Sequence, residues 1–138
     1  MAAKSLSQKM KLKAGMRAAV LNAPPGYHEA LKPLPEGVAI EADLEGSYDW
    51  IQFFVRNQAE LADFLPGANR ALKPNSLLWI AFPKGSSQQQ TDLTRDRGWE
   101  PLADMDLKWV NLVSVNETWS AFCLCPYKEG EPRTPPWR

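Results

Sequence analysis

Two runs decide the fold: YDWIQFFV, Tyr48–Val55, and SLLWIAF, Ser76–Phe82. Each is almost wholly apolar and rich in aromatic and β-branched residues, the composition of a strand covered on both faces of a parallel sheet. Between them, Asn57 followed three residues later by Glu60 signals a helix start. Leu61, Phe64, Leu65, Ala68 and Leu72 then share one helical stripe, and Lys73-Pro74 is its predicted stop. Pro66-Gly67 inside the stripe predicts a kinked helix or two short ones. Strand, helix and strand in this order form a parallel crossover unit.

Working outward toward the C-terminus, the polar stretch Gly85–Gln90 leads to Thr94, a predicted N-cap for a segment with Trp99, Leu102 and Ala103 on one face. Gly98 and Pro101 make that helix poor. Trp109–Val115 and Trp119–Cys125 read as strands, and the short link Asn116-Glu117-Thr118 makes them an antiparallel hairpin. Toward the N-terminus, Val38, Ile40, Ala42 and Leu44 alternate with Glu41 and Asp43, a strand near the sheet edge with one wet face. Tyr27, Ala30 and Leu31 have helical spacing, cut short by Pro33 and Pro35. Arg17–Asn22 is β-prone and closes in the turn cluster Ala23-Pro24-Pro25-Gly26. Leu6 and Met10, spaced i, i+4, predict a short amphipathic helix packed on the domain. The element order is β-α-β-β-α-β-α-β-β. The predicted architecture is α/β, a single domain with a mostly parallel sheet of about six strands and a C-terminal antiparallel hairpin. The chain divides into a helical arm over 1–14, a domain over 15–126 and a flexible tail over 127–138 that holds Gly130, Pro132, Pro135 and Pro136.

The 138 residues are enough for one domain with its own core. Sixteen basic residues offset sixteen acidic ones, so no global charge attracts nucleic acid or an anionic membrane. No apolar run approaches the ~18 residues of a membrane span, and no signal-peptide core follows Met1. The first seventeen residues carry Lys4, Lys9, Lys11, Lys13 and Arg17 without an acid, a pattern open to a targeting presequence or a nucleic-acid arm, for which five charges are few. Cys123 and Cys125 stand two apart on a predicted strand, about 6.5–7 Å between Cα atoms. That spacing is at or beyond the limit for a disulfide, and two thiols are too few for a metal site. Free thiols of this kind fit a reducing cytoplasm. The six tryptophans read as core, since Trp50 and Trp79 lie inside buried strands and no basic interleaving accompanies them.

The stretch Tyr48–Pro83 resembles the middle of a class I S-adenosylmethionine-dependent methyltransferase. The matches are an early strand Asp at Asp49, a helix ending Ala71-Leu72-Lys73-Pro74 and the strand Leu77–Phe82. The closing hairpin is also similar. From about Leu6 to Pro126 the chain resembles a small bacterial family of domains of unknown function with a truncated methyltransferase-like Rossmann fold. The motifs that carry this are Leu12-Lys13-Ala14-Gly15, Asn22-Ala23-Pro24-Pro25-Gly26-Tyr27 and Pro33-Leu34-Pro35-Glu36-Gly37. Pro83-Lys84-Gly85-Ser86, Thr91-Asp92-Leu93-Thr94 and Glu117-Thr118-Trp119-Ser120 continue it. The chain departs from that family at Ala14, where Pro is usual, at Asn75-Ser76 in place of Gly-Gly, and at Cys123 and Cys125 in place of basic residues. It departs further from true methyltransferases, whose first strand ends in a Gly-rich turn that lets the backbone approach the cofactor. Here that turn holds Pro24 and Pro25, which lack N–H donors. Only Glu45-Gly46-Ser47 separates the second strand from the third, so the unit that completes a cofactor pocket is missing.

Ligands of open α/β sheets bind beyond the carboxyl ends of the parallel strands. Those ends are predicted at Asn22–Tyr27, Glu45, Arg56-Asn57 and Pro83–Ser86, with Thr118, Trp119 and Ser120 joining them if the last strand inserts beside Leu77–Phe82. The candidate ligand-binding residues are therefore Asn22, Tyr27, Arg56, Lys84, Ser86, Thr91, Asp92, Trp119 and Ser120. Arg56 and Lys84 would supply charge for a small anion, Tyr27 and Trp119 apolar walls, and the rest hydrogen bonds. Each also has a plain structural role: Lys84 a solvated charge, Trp119 core, Asp92 a turn or cap. Catalytic constellations are lacking. His28, the only histidine, has Glu29 beside it and no further partners, and Asp104 and Asp106 read as solvated acids. No P-loop, GxSxG or CxxC occurs. No cofactor, metal site or catalytic residue is predicted. The first expectation is a non-catalytic domain for ligand binding or partner contact, the alternative a reduced S-adenosylmethionine-dependent methyltransferase. A homo-oligomeric module, with Trp137 and the tail prolines on a neighbour, is a third.

Overall fold

The structure, a computed structural model, describes residues 5–84, 92–94, 97–105, 107–127 and 130. Six strands form one sheet: β1 (Ala18–Leu21), β2 (Ile40–Glu41), β3 (Tyr48–Phe54), β4 (Leu72–Pro83), β5 (Leu107–Ser114) and β6 (Trp119–Pro126). Their order is β2-β1-β3-β4-β6-β5. The pairs β1–β2, β1–β3 and β3–β4 are parallel. The hairpin inserts β6 between β4 and β5, antiparallel to both. Among the described residues three helices accompany the sheet: α1 (Leu6–Lys9), α2 (Tyr27–Ala30) and α3 (Gln58–Arg70), with a 3₁₀ turn over Glu100–Asp104. The expected mixed α/β architecture is present, and no described helix is long and apolar enough to cross a membrane.

Strand alternation sorts the core into two layers. Ile51, Phe53 and Val55 of β3 and its continuation, with Leu78, Ile80 and Phe82 of β4, pack against Leu61, Leu65 and Ala68 of α3 and against Trp99 and Leu102. On the other face Trp50, Phe54, Trp79, Ala81, Ala121 and Cys123 meet Met10, Leu12, Tyr27 and Leu31. The arm is docked as expected: Ser5 and Gln8 form a reciprocal capping box on α1. Met10 is fully buried, and its carbonyl accepts from the Trp50 indole at 2.8 Å.

Four expectations need correction. First, α3 is one continuous helix of 13 residues with Pro66 inside it, which corrects the alternative of two short helices. Asn57 Oδ1 accepts from Glu60 N at 2.8 Å, and the buried stripe Leu61, Leu65 and Ala68 holds both halves on the sheet. Tertiary packing outweighs the single lost N–H. Second, Leu72 leaves the helical stripe. The helix is capped at Ala71, and Leu72 opens β4 opposite Tyr48. Lys73–Ser76 then bulge out before Leu77 pairs with Trp50, which is where a strand tolerates Pro74. Ser76 Oγ pins the bulge, accepting from Lys73 N at 2.7 Å and donating to Tyr48 O at 2.6 Å.

Third, β2 is two residues long, not the run Val38–Leu44. Ile40 and Glu41 pair with Ala18 and Ala19 at the start of β1, and the chain must be back at the amino edge by Tyr48. Glu45 is thereby held at the amino edge, its N–H donating to the Tyr48 hydroxyl at 3.0 Å, and not at a strand's carboxyl end. Gly46 makes the return turn at φ +87°, where an added Cβ would lie 3.2 Å from the Arg17 guanidinium. Fourth, Thr94 caps no helix. Its carbonyl accepts from the Trp99 indole at 2.7 Å and its N–H donates to Arg97 O, and regular structure starts only after Trp99. Of the proposed tail over 127–138 the structure describes Tyr127 and Gly130, and Pro132, Pro135, Pro136 and Trp137 lie outside the described residues.

The amino edge is held by one cluster. The Arg17 guanidinium makes two bonds to Glu41, at 2.9 and 3.1 Å, and lies 4.1 Å from the centre of the Tyr48 ring. Arg17 N donates to Asp49 Oδ2 at 2.8 Å, while Asp49 Oδ1 pairs with Lys73 at 2.8 Å. The Arg17 guanidinium, with help from the Tyr48 hydroxyl, holds the Glu41 carboxyl below its usual range. The Arg17 backbone N–H, then Lys73, do the same for Asp49.

Two outcomes follow from these arrangements. Pro66 is exposed, so Pro66→Ala loses no packing and restores an N–H for the Ala62 carbonyl. After allowing for the freer unfolded chain, denaturant unfolding should show a gain of ~1–3 kcal/mol; an unchanged or lower stability would mean the proline is required. For pH, both lowered carboxyls bind protons more weakly folded than unfolded. Their stabilisation is present above the ordinary carboxylate range of ~4 and is lost as pH falls through the lowered values. Thermal unfolding from pH 7 to 2.5 should show this loss, and Arg17→Met, less stable at neutral pH, should show a smaller acid-linked loss. Parallel profiles for the two proteins would refute the role given to Arg17.

Candidate functional site

The parallel strands end at Leu21, Phe54 and Pro83, and their carboxyl ends form one edge of the sheet. Asn22 follows β1 directly, with φ +57°, a left-handed conformation that Asn tolerates better than most residues. This turns its amide across the crevice between β1 and β3, where Nδ2 donates to Phe54 O at 2.7 Å. Pro24 and Pro25 follow, and Gly26 at φ +83° starts α2. Tyr27 then points inward. It is buried, its hydroxyl donates to Gln52 Oε1 at 2.5 Å, and its ring meets Phe54 edge-on at 4.6 Å. Burial raises the Tyr27 phenol far above its ordinary value, with the Gln52 bond opposing the shift.

The aromatic contact continues sideways. Phe54 and Trp119 meet edge-on at 5.1 Å, and the Arg56 guanidinium lies 6.0 Å from the centre of the Trp119 ring. Insertion of β6 beside β4 places Trp119 opposite Pro83 and Ser120 opposite Phe82. Lys84 N donates to Thr118 O at 2.8 Å, and Lys84 Nζ donates to Ser114 Oγ at 2.7 Å. Ser114 in turn pairs with Ser120 across the hairpin. Arg56, Lys84, Ser114, Trp119 and Ser120 thus gather at one end of the edge, with Asn22 and Tyr27 linked to them through Phe54.

Asp92 has a different setting. Its Oδ1 accepts from Gln58 N at 2.9 Å, so it caps the first turn of α3. Gly98 permits the close approach of that segment: at φ +95° an added Cβ would fall 2.5 Å from Asp92 O. Glu60 Oε1 accepts from Arg56 N at 2.7 Å, and Asn57 serves Glu60 N. The N-terminus of α3, a common anion site in such sheets, has these donors met by its own chain. Ser86 and Thr91 lie outside the described residues.

Sequence reading passed over Ser114 and Gln52 as site residues, and took Glu60 only as the helix-start partner of Asn57. Gln52 carried a signal, as the one amide in an otherwise apolar strand. Ser114 carried none, since its role depends on the hairpin register. His28 is exposed on α2. Cys123 and Cys125 are not joined as a disulfide, Cys123 is buried and Cys125 half-buried, and burial pushes the Cys123 thiol up to about 12.

An adenosyl cofactor on such a sheet needs backbone donors in the loop after the first strand and a second crossover to wall its pocket. The residues present do not fit it. Pro24 and Pro25 offer no N–H, the Asn22 amide bridges the crevice to Phe54, and β2 turns back at Glu41 before reaching the carboxyl edge.

No family model matches the chain, and no curated protein sequence matches it. Solved structures do. A DhpI–SAH complex superposes with a TM-score of 0.60 at 10% identity, over 94% of this chain and 83% of that one. Ribosomal protein L11 methylase from Lactobacillus delbrueckii subsp. bulgaricus gives 0.57 at 10% identity, over 88% and 75%. A SAM-dependent methyltransferase from Aquifex aeolicus gives 0.56 at 14% identity, over 85% of each chain. The strand order, with the last strand inserted antiparallel, and these superpositions agree: the chain has the Rossmann-like α/β fold of the S-adenosylmethionine-dependent methyltransferases.

Proposed function

We propose that the chain is a binding module on a methyltransferase fold that transfers no methyl group. Its ligand is a small anion or an acidic partner group, met at the carboxyl edge by Arg56, Lys84, Ser120 and the Trp119 ring. The observation that carries this reading is the bridged crevice, Asn22 Nδ2 to Phe54 O at 2.7 Å, in a loop whose prolines have no N–H. It leaves Arg56 beside the Trp119 ring and Lys84 beside Ser114 as the cations at that edge. Cys123 and Cys125, not joined as a disulfide, support a cytoplasmic setting.

The comparisons favour a second reading, a reduced S-adenosylmethionine-dependent methyltransferase. Structures that share this fold over most of the chain hold SAH or are named as methyltransferases. The loop chemistry and the fold likeness therefore pull in different directions, and one measurement separates them. Titration calorimetry with S-adenosylmethionine and S-adenosylhomocysteine at millimolar concentration should give no binding heat; a saturable heat with either compound would establish the second reading in place of the first.

Inorganic phosphate and nucleoside monophosphates are the probes for the anion site. Binding should weaken about tenfold or more in Arg56→Ala and in Lys84→Ala, the loss of one charge-assisted contact. His28→Ala should bind as the unaltered protein does. Equal affinity in all four proteins would remove the site from this edge.

A further inference from the structure

The centre of the sheet holds a polar row that the carboxyl edge does not use. Gln52 of β3 is the register partner of Trp79 in β4, and Trp79 is the partner of Cys123 in β6. The three side chains therefore stand side by side on adjacent strands. They face the layer that holds Trp50, Phe54 and Tyr27, and none of the three has any exposed surface. Gln52 Oε1 accepts from the Tyr27 hydroxyl. Gln52 Nε2 and Trp79 Nε1, both buried, have no hydrogen-bond partner among the described residues. The same layer satisfies another buried indole, Trp50, with the Met10 carbonyl at 2.8 Å.

Buried donors in native proteins are nearly always paired, and a fully buried amide and indole N–H are no exception. Two unpaired donors on neighbouring strands call for one shared acceptor with two lone pairs. That acceptor is uncharged. The row holds no charged side chain, and Lys11, whose charge reaches Cys123, is itself exposed, so a buried anion would lack a counter-ion. It is also small, because every member of the row is fully covered.

We infer that one water molecule is bound in this row, accepting from both Gln52 Nε2 and Trp79 Nε1 beside the Cys123 sulfur. Two donors and a weak acceptor meet the two to four partners that an internal water needs. The water completes a polar chain running Tyr27, Gln52, water, Trp79, from the loop after β1 into β4. It is independent of the anion site proposed above.

Water-selective NOE spectroscopy on the full chain tests this, with the Trp79 indole proton assigned by its loss in Trp79→Phe. Trp79 should show a direct cross-peak to water, and Trp50, bonded to Met10, should not. A missing cross-peak at Trp79, or one of equal size at Trp50, overturns the inference. If Trp79→Phe does not fold, an atomic-resolution crystal structure of the unaltered protein decides. An oxygen within hydrogen-bond distance of both nitrogens supports the site. A Gln52 amide rotated so that Oε1 accepts directly from Trp79 Nε1 refutes it.

Discussion

Arg17 is the point on which the sheet's first half depends. It stands just before β1, and its side chain and backbone engage three other segments at once. The guanidinium binds both oxygens of Glu41 at the end of β2 and covers the Tyr48 ring at the start of β3. Its carbonyl accepts from Asp49 N and Trp50 N, and its N–H reaches the Asp49 carboxylate, which continues to Lys73 in the β4 bulge. The charges are partly exposed, at 41% and 40% for Arg17 and Glu41, so Coulomb attraction alone would count for little. What gives the cluster its hold is the buried Tyr48 beneath it, whose hydroxyl also meets Asp43 O and Glu45 N. A parallel crossover ordinarily takes a dozen or more residues and a helix. Here the chain passes from Glu41 to Tyr48 in a tight return that only this anchoring explains.

That shortcut at the amino edge governs the carboxyl edge. With β2 stopped level with Ala19, the strand beside β1 does not extend to the carboxyl edge. The chain then closes what is left with its own atoms: Asn22 across to Phe54, Tyr27 down onto Gln52, and Asp92, Asn57 and Glu60 on the first turn of α3. Each of these groups stands where related folds leave donors for a ligand. The fold likeness and the chemistry of the site are thus separable facts, as expected when function resides in sites carried by a fold.

How much of this was legible in the sequence follows from the range of the interactions. The runs at Tyr48–Val55 and Ser76–Phe82, the Asn57 cap and the Asn116–Thr118 hairpin are written in local composition, and they determined the architecture. Periodicity failed at Val38–Leu44 because the alternation is real while the strand's length is set by Arg17, more than twenty residues away. It failed at Leu72 because a residue with helical spacing can equally begin a strand, and register with Tyr48 decides. Pro66 was read by its local penalty, which the buried stripe of α3 overrides. At the site, the proximity of Lys84 to the hairpin could be anticipated from strand order alone. Its bond to Ser114 depends on a register that no local pattern encodes.

Three of the six tryptophans, Trp50, Trp79 and Trp119, have their explanation in the same missing crossover. Among the described residues, one face of the sheet has α3, thirteen residues long, to cover it, while the other has α1 and α2 at four residues each. Helices that short cannot cover a six-stranded sheet, so the sheet's own side chains must supply the bulk. Trp50, Trp79, Trp119, Tyr27 and Phe54 all belong to that layer. Large rings fill space that a crossover helix would occupy, and each indole brings an N–H that must be met. Trp50 meets its need by drawing the Met10 turn onto the sheet. The edges carry the matching economy. β2 is too short to recruit another strand, and β5 is blunted by the bulge at Val110 and by Asn111, whose Oδ1 accepts from Leu112 N at 2.9 Å. Coverage by aromatic side chains in place of helices is the condition under which a sheet of this type can lose a crossover unit and still bury its centre.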